Sequence, residues 1–275
     1  MNFFSPAELT GNYAAAGKKK ALLPAVTIFL LAVLAGGLIA LAGAGATTAT
    51  HNIAAAGIAR LVNGVLFPFG LMMIVLLGAE LFTGNCLMVI SVLDRQATLA
   101  GMLRNWLLAY GGNFVGSVLV AAGCAYFGQF NYSAAGLAVS TVKLAAAKCA
   151  LPFGTAFVMG IFCNLLVCAA VLLAFSAKDA AGKILAIFPP VCLFVLCGFE
   201  HSVANMYYIP AGLFALNVPD YAAAIAQSGL DLSPLTWGNF LLRNLLPVTL
   251  GNIVGGTGIG AMMWYAYLRK SGERD

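Results

Sequence analysis

The sequence predicts an all-α membrane protein: six transmembrane helices forming two inverted three-helix repeats, with the second and fifth helices broken. Three observations predict it. The 275-residue chain is 62% hydrophobic and 8% charged, with mean hydropathy +0.96, whereas a soluble domain carries about 25% charged residues. A polar segment interrupts the apolar sequence twice: G-A-E-L-F-T-G-N at 78–85 and G-F-E-H-S-V-A-N at 198–205 share Gly, Glu and Asn at matching positions. A second pair, R-N-W-L-L-A-Y-G-G-N-F-V-G at 104–116 and R-N-L-L-P-V-T-L-G-N-I-V-G at 243–255, shares Arg-Asn, Gly-Asn and the final Gly.

Residues 1–20 read as a cytoplasmic N-terminal arm. Ser5-Pro6-Ala7-Glu8 has the form of a capping box with Pro at the first helical position. The arm is therefore either a short helix under the membrane or a plain leader into the first span. No cleavable signal peptide is read, because the arm is polar and ends in Lys18-Lys19-Lys20. A crossing takes about 20 apolar residues. Six stretches qualify, near 22–46, 58–93, 104–127, 150–175, 184–216 and 238–268. The second and fifth are too long for one crossing and are interrupted near 81–85 and 198–205. Loops are expected at 47–57, 128–147 and 217–236. The transmembrane domain then covers 21–270, with repeat one about 22–127 and repeat two about 150–268, and 271–275 is a cytoplasmic tail.

Charge fixes the direction. With both termini in the cytoplasm, the inner side holds ten basic residues: Lys18, Lys19, Lys20, Arg95, Arg104, Lys178, Lys183, Arg269, Lys270 and Arg274. The outer side holds four: Arg60, Lys143, Lys148 and Arg243. This orientation suits a multi-pass protein of the inner (cytoplasmic) membrane. Three spans per repeat is odd, so the second copy is upside down, and Arg104 falls inside while Arg243 falls outside. Topology thus accounts for the net charge of +5, and no nucleic acid is implied. The seven cysteines lie in apolar runs without C-x-x-C or Cys/His metal spacing, so they read as small buried hydrophobes. No nucleotide loop, metal constellation or nucleophile triad is present, so no metal, cofactor or enzymatic activity is expected.

Polar groups deep in a span are expensive and usually line a pathway or binding site. Glu80 and Glu200 occupy the same place in each copy. They either cap backbone groups freed by the break or accept bonds from its loop, or else transfer protons, and Asn85 and Asn205 brace the same loops. Thr83 and His201 are where the copies differ, which marks a functional centre. Thr83 can donate to an anion, and His201, the only His in the apolar part, can carry a proton near neutral pH. His51 falls in an outer loop. Lys148 enters the fourth span from outside, either concentrating anions at the mouth or snorkelling at the interface. Asn164, mid-span, either bonds across helices or lines the path. The glycines of Gly-Asn-x-x-Gly read as helix-packing positions.

Four motifs, at 78–89 (G-A-E-L-F-T-G-N-C-L-M-V), 105–117, 198–210 and 244–256, together resemble the formate/nitrite transporter family, most closely its formate channels. The resemblance runs over about 22–270. It implies a homopentamer of six-span protomers in the lipid bilayer, each protomer with its own pore and aquaporin-like in outline. It implies that Thr83 and His201 are the central pair, Lys148 the lysine of the outer vestibule and Asn164 the pore-facing amide. It further implies that Phe67, Leu71, Leu81 and Phe194 form the hydrophobic constrictions. Glu80 stands where many formate channels have Asp. The function implied is passage of small monovalent anions, formate first, as a passive channel or with a proton. Nitrite and hydrosulfide are the alternatives within the family. Apolar rings oppose a bare anion far more than a neutral acid. A neutral-solute channel of the aquaporin type would also use inverted repeats and two broken helices. It would need Asn-Pro-Ala at both breaks, which is absent, and has no use for a central His.

Overall fold

Long apolar stretches without interior charges fold as helices because lipid offers the backbone no other partner. The computed structural model describes residues 3–269 and is helical throughout, with no strand beyond one isolated bridge, Phe3 with Ala177. The tail expected at 271–275 lies outside the described residues, as do Lys270, Met1 and Asn2. The helices are α1 (Pro6–Leu22), α2 (Ala25–Thr50), α3 (Ala56–Leu77), α4 (Phe82–Leu93), α5 (Leu99–Tyr126), α6 (Tyr132–Cys149), α7 (Phe153–Ser176), α8 (Ala180–Leu196), α9 (Ser202–Ala215), α10 (Pro219–Gln227) and α11 (Trp237–Tyr267). Among the described residues, α2, α3, α5, α7 and α11 are each long and apolar enough to cross a bilayer.

The capping box forms as expected. Ser5 Oγ accepts the Glu8 N–H, and the Glu8 carboxylate accepts from the Ser5 N–H and hydroxyl, which holds that carboxyl below its ordinary range. The arm is more than a leader, because it docks. Tyr13 donates to the Gly84 carbonyl at 3.0 Å, and Ser91 donates to the Ala14 carbonyl at 2.9 Å.

Both overlong stretches are broken. α3 stops at Gly78 (φ 68°) and α8 at Gly198 (φ 70°), a left-handed conformation that favours glycine. The chain then runs extended through Leu81 (φ −100°, ψ 120°) and His201 (φ −109°, ψ 115°), which cap α4 and α9. The breaks thus lie at 78–81 and 197–201, ahead of the polar Thr83, Asn85 and Asn205, which belong to the helices that follow. The two broken stretches differ in length: α3 alone spans 22 residues, whereas α8 has 17.

Two of the expected loops are largely helix. α6 occupies most of 128–147, and α10 lies within 217–236 and bends 95° from α9. The pattern was present in α6, whose buried Ala138, Val142, Ala145 and Cys149 recur at helical spacing. In α11, Pro247 cannot donate to the carbonyl four residues back, and the preceding turn widens to a π-helix over Phe240–Leu245.

α2 packs on α5 and α7 on α11, and the Gly-Asn-x-x-Gly glycines make the approach possible. A Cβ on Gly116 would overlap the Val33 carbonyl, and one on Gly255 would overlap that of Ile161. These crossings bring Asn113 and Asn252 within reach of the two breaks.

Candidate functional site

The two breaks meet. Thr83, one residue into α4, and His201, at the cap of α9, come within 2.9 Å (Oγ1 to Nε2), and both are buried. His201 Nδ1 accepts the Ala204 backbone N–H at 3.0 Å. An amide only donates, so Nδ1 carries no proton. The neutral ring is then protonated at Nε2 and donates to Thr83. That leaves the Thr83 hydroxyl hydrogen free to donate to a third group. Among the described residues, no carboxylate is a hydrogen-bond partner of the His201 ring. The neighbouring Glu200 points its carboxylate elsewhere.

Phe67, Leu71, Leu81 and Phe194 enclose a central cavity of about 10 Å³ together with His201, Ile39, Val167 and Val191. That is roughly the space of one water. The Phe67 and Phe194 rings meet edge-on at 5.8 Å, and Phe194 stacks against the imidazole at 6.0 Å. Two larger cavities, each about 140 Å³, flank this centre. One is lined by Tyr13, Lys20, Gly78 and Phe175 among others and shares Leu71 and Leu81 with the central cavity. The other is lined by Lys148, Gly198 and Tyr208 among others and shares Phe67, Phe194 and His201 with the central cavity.

Each break carries the same polar cluster. Glu80 accepts from Lys20 Nζ, from Asn85 Nδ2 at 2.6 Å and from Asn105 Nδ2 at 3.1 Å. Glu200 accepts from Lys148 Nζ at 2.7 Å, from Asn205 Nδ2 at 2.7 Å and from Asn244 Nδ2 at 3.3 Å. The carboxylates therefore bind lysine and side-chain amides and do not cap freed backbone. Asn113 and Asn252 meet those groups instead, Asn113 Oδ1 accepting the Phe82 N–H and Asn252 Oδ1 the Ser202 N–H, both at 2.9 Å.

Lys148 is not a snorkelling cation. It is paired with Glu200, and its side chain is 14% exposed beside the Tyr208 ring. Asn164 takes the bridging role of its two readings: Nδ2 donates to the Thr83 carbonyl at 3.1 Å and to the Asn252 carbonyl at 2.6 Å. Both amide hydrogens are thereby used, and Asn164 lines none of the three cavities described. Sequence reading missed Lys20, the counterpart of Lys148 at the first break. It was read only as one of three arm lysines, and nothing local in K-K-K separates it from its neighbours. Asn105, Asn113, Asn244 and Asn252 stood in the matched motifs, and their recurrence was the signal available.

The sequence profile of the Formate/nitrite transporter family matches residues 7–266. The chain is 38% identical to a probable formate transporter of Methanothermobacter thermautotrophicus, over 98% of this chain and 99% of that protein. It is 37% identical to the formate channel FocA of Haemophilus influenzae, over 88% and 87% respectively. Its fold is similar to a solved pentameric formate channel with formate bound, with a TM-score of 0.79 and 34% identity over 89% of this chain and 98% of that one.

Proposed function

The chain belongs to the formate/nitrite transporter family, and we propose that it carries formate across the membrane together with a proton, through a pore in each protomer of a homopentamer. It is a multi-pass membrane transporter and not an enzyme. The proposed topology is six crossings in two inverted repeats with both termini cytoplasmic. In it the Lys20 cavity is the inner vestibule and the Lys148 cavity the outer one.

The observation that carries this reading is that His201, hydrogen-bonded to the buried Thr83, lines a water-sized cavity walled by Phe67, Leu71, Leu81 and Phe194. Those walls offer a bare anion no compensating charge, and desolvating it there is very costly. Formic acid, once neutral, crosses at far lower cost. Formate has a pKa of roughly 4, so a proton must join it from vestibule water before or at the constriction. Atoms balance as one formate and one proton entering and one formic acid passing, which dissociates on the far side. The neutral His201 ring orients Thr83 through Nε2–H, and the Thr83 hydroxyl donates to the substrate oxygen. Lys20 and Lys148 place positive charge at each vestibule, tempered by their partner carboxylates.

Purified protein in proteoliposomes tests this. Formate uptake should rise as external pH falls, with protons co-entering. Formate current without proton uptake would leave an anion channel only. Uptake of nitrite or hydrosulfide with formate excluded would move the substrate assignment within the family.

A further inference from the structure

Asn113 and Asn252 each grip the backbone on both sides of a single residue. Asn113 Nδ2 donates to the Glu80 carbonyl at 2.9 Å while its Oδ1 accepts the Phe82 N–H, so Leu81 is bracketed. Asn252 Nδ2 donates to the Glu200 carbonyl at 3.0 Å while its Oδ1 accepts the Ser202 N–H, so His201 is bracketed. The second amide hydrogen of each ties the break to a neighbouring helix, through the Ala32 carbonyl of α2 or the Gly160 carbonyl of α7, both at 2.8 Å. Both asparagines are fully buried, and both donors of each are used. The bracketed residues are the ones that matter for passage. Leu81 lies on both the Lys20 cavity and the central cavity, and His201 on both the Lys148 cavity and the central cavity. Each sits in extended backbone, where the tilt of the two flanking peptides fixes where its side chain points.

We propose that Asn113 and Asn252 are positioning residues with different consequences: Asn113 holds Leu81 and so sets the largest monocarboxylate that passes, while Asn252 holds His201 against Thr83 and so sets the rate for formate. The proposal rests on the transport reading above. The central cavity holds about one water, so formic acid passes only with small shifts of the walls, and a bulkier acid is excluded while Leu81 is fixed. Removing the bracket frees Leu81 to swing away. Removing the other bracket moves the imidazole off Thr83 and does not widen the Leu81 wall.

The experiment compares formate and butyrate uptake in proteoliposomes. Asn113→Ser should raise the butyrate-to-formate ratio by about tenfold, the change expected when a buried hydrogen-bonded restraint is lost. Leu81→Ala should raise the same ratio, and adding Asn113→Ser to it should change the ratio no further, because contacting residues are not additive. Asn252→Ser should lower formate uptake with the ratio unchanged, and its effect should vanish in a His201→Asn background. Equal loss of both substrates in Asn113→Ser, or full additivity in either pair, would mean that the asparagines only hold the fold, and would overturn the proposal. Where a serine variant does not assemble, Asn113→Asp and Asn252→Asp, which keep the acceptor, are read the same way. If those also fail, Leu81→Ala decides, since continued exclusion of butyrate overturns the assignment. A parent protein that moves no formate counts against the transport reading itself and is measured first.

Discussion

Thr83 and His201 lie 118 residues apart and meet because each begins a helix at a break. The imidazole is held at both nitrogens, one accepting from Ala204 N–H and one donating to Thr83. Protonating Nδ1 would set two donors against each other and cost the cap. Two outcomes follow for substitution. His201→Asn retains a carboxamide oxygen suited to the cap but is too short to keep the Thr83 bond. It should assemble normally and transport formate more slowly, with uptake still rising as pH falls. A flat pH profile in that variant would show that the ring itself titrates during transport. His201→Leu loses the cap as well and should lower the thermal midpoint, by about 1 kcal/mol of stability. The second prediction at this scale concerns Lys148. Lys148→Met leaves Glu200, buried at the second break, without its cation. Breaking one side of such a pair costs up to about 3–5 kcal/mol when burial is complete, and less here because Lys148 is part exposed. Adding Glu200→Gln should restore much of the midpoint, since both charges are then gone. No recovery in the double variant would mean that the lysine stabilises through its aliphatic contacts alone.

Among the elements, the crossings of α2 with α5 and of α7 with α11 set the architecture around the breaks. Gly116→Ala should drive α5 off α2, because its new methyl meets the Val33 carbonyl. Overpacking of this kind costs about 1–3 kcal/mol, read as a lower melting midpoint of the purified protein. Gly37→Ala on the facing helix is the control, since its Cβ would meet only ordinary contacts, and it should stay within about 0.5 kcal/mol of the parent. Equal effects would mean that close approach is not what the Gly116 position requires. Reading the sequence located these elements well where apolar runs were long. It failed at α6 and α10, where polar flanks and small residues masked helical spacing and suggested loops. Of the two structural tasks expected of Glu80 and Glu200, they accept bonds from their own broken segments, at Asn85 and Asn205, while Asn113 and Asn252 perform the capping. A carboxylate inside a break is a natural guess for a cap, and only side-chain direction shows that both carboxylates face lysine and amide partners instead.

At the scale of the whole molecule, the proposed topology places the α2–α3 turn outside and the start of α8 inside. In a cysteine-free background, a cysteine at Ala55 should react with an impermeant thiol reagent from the outside only, and one at Ala181 only after the membrane is opened. Labelling of both from one side would overturn the inverted arrangement while leaving family membership intact. Tyr110 of α5 and Thr249 of α11, at matching motif positions, hydrogen-bond to each other at 2.9 Å. Lys20 of α1 supplies at the first break what Lys148 of α6 supplies at the second, and each backbone carbonyl accepts from the matching asparagine, Asn105 or Asn244.

The sequence by itself determined the membrane class, the two breaks and the family. Composition, the polar segments at 78–85 and 198–205, and contiguous recurring motifs are all local properties of the chain. Only the tertiary structure decided which groups face one another: Thr83 with His201, Lys20 with Glu80, Lys148 with Glu200, and each asparagine across its break. The physical reason is that a hydrogen bond requires two groups within about 3 Å and correctly aimed. In this chain the partners come from helices far apart in sequence, so their meeting depends on how α2, α5, α7 and α11 cross.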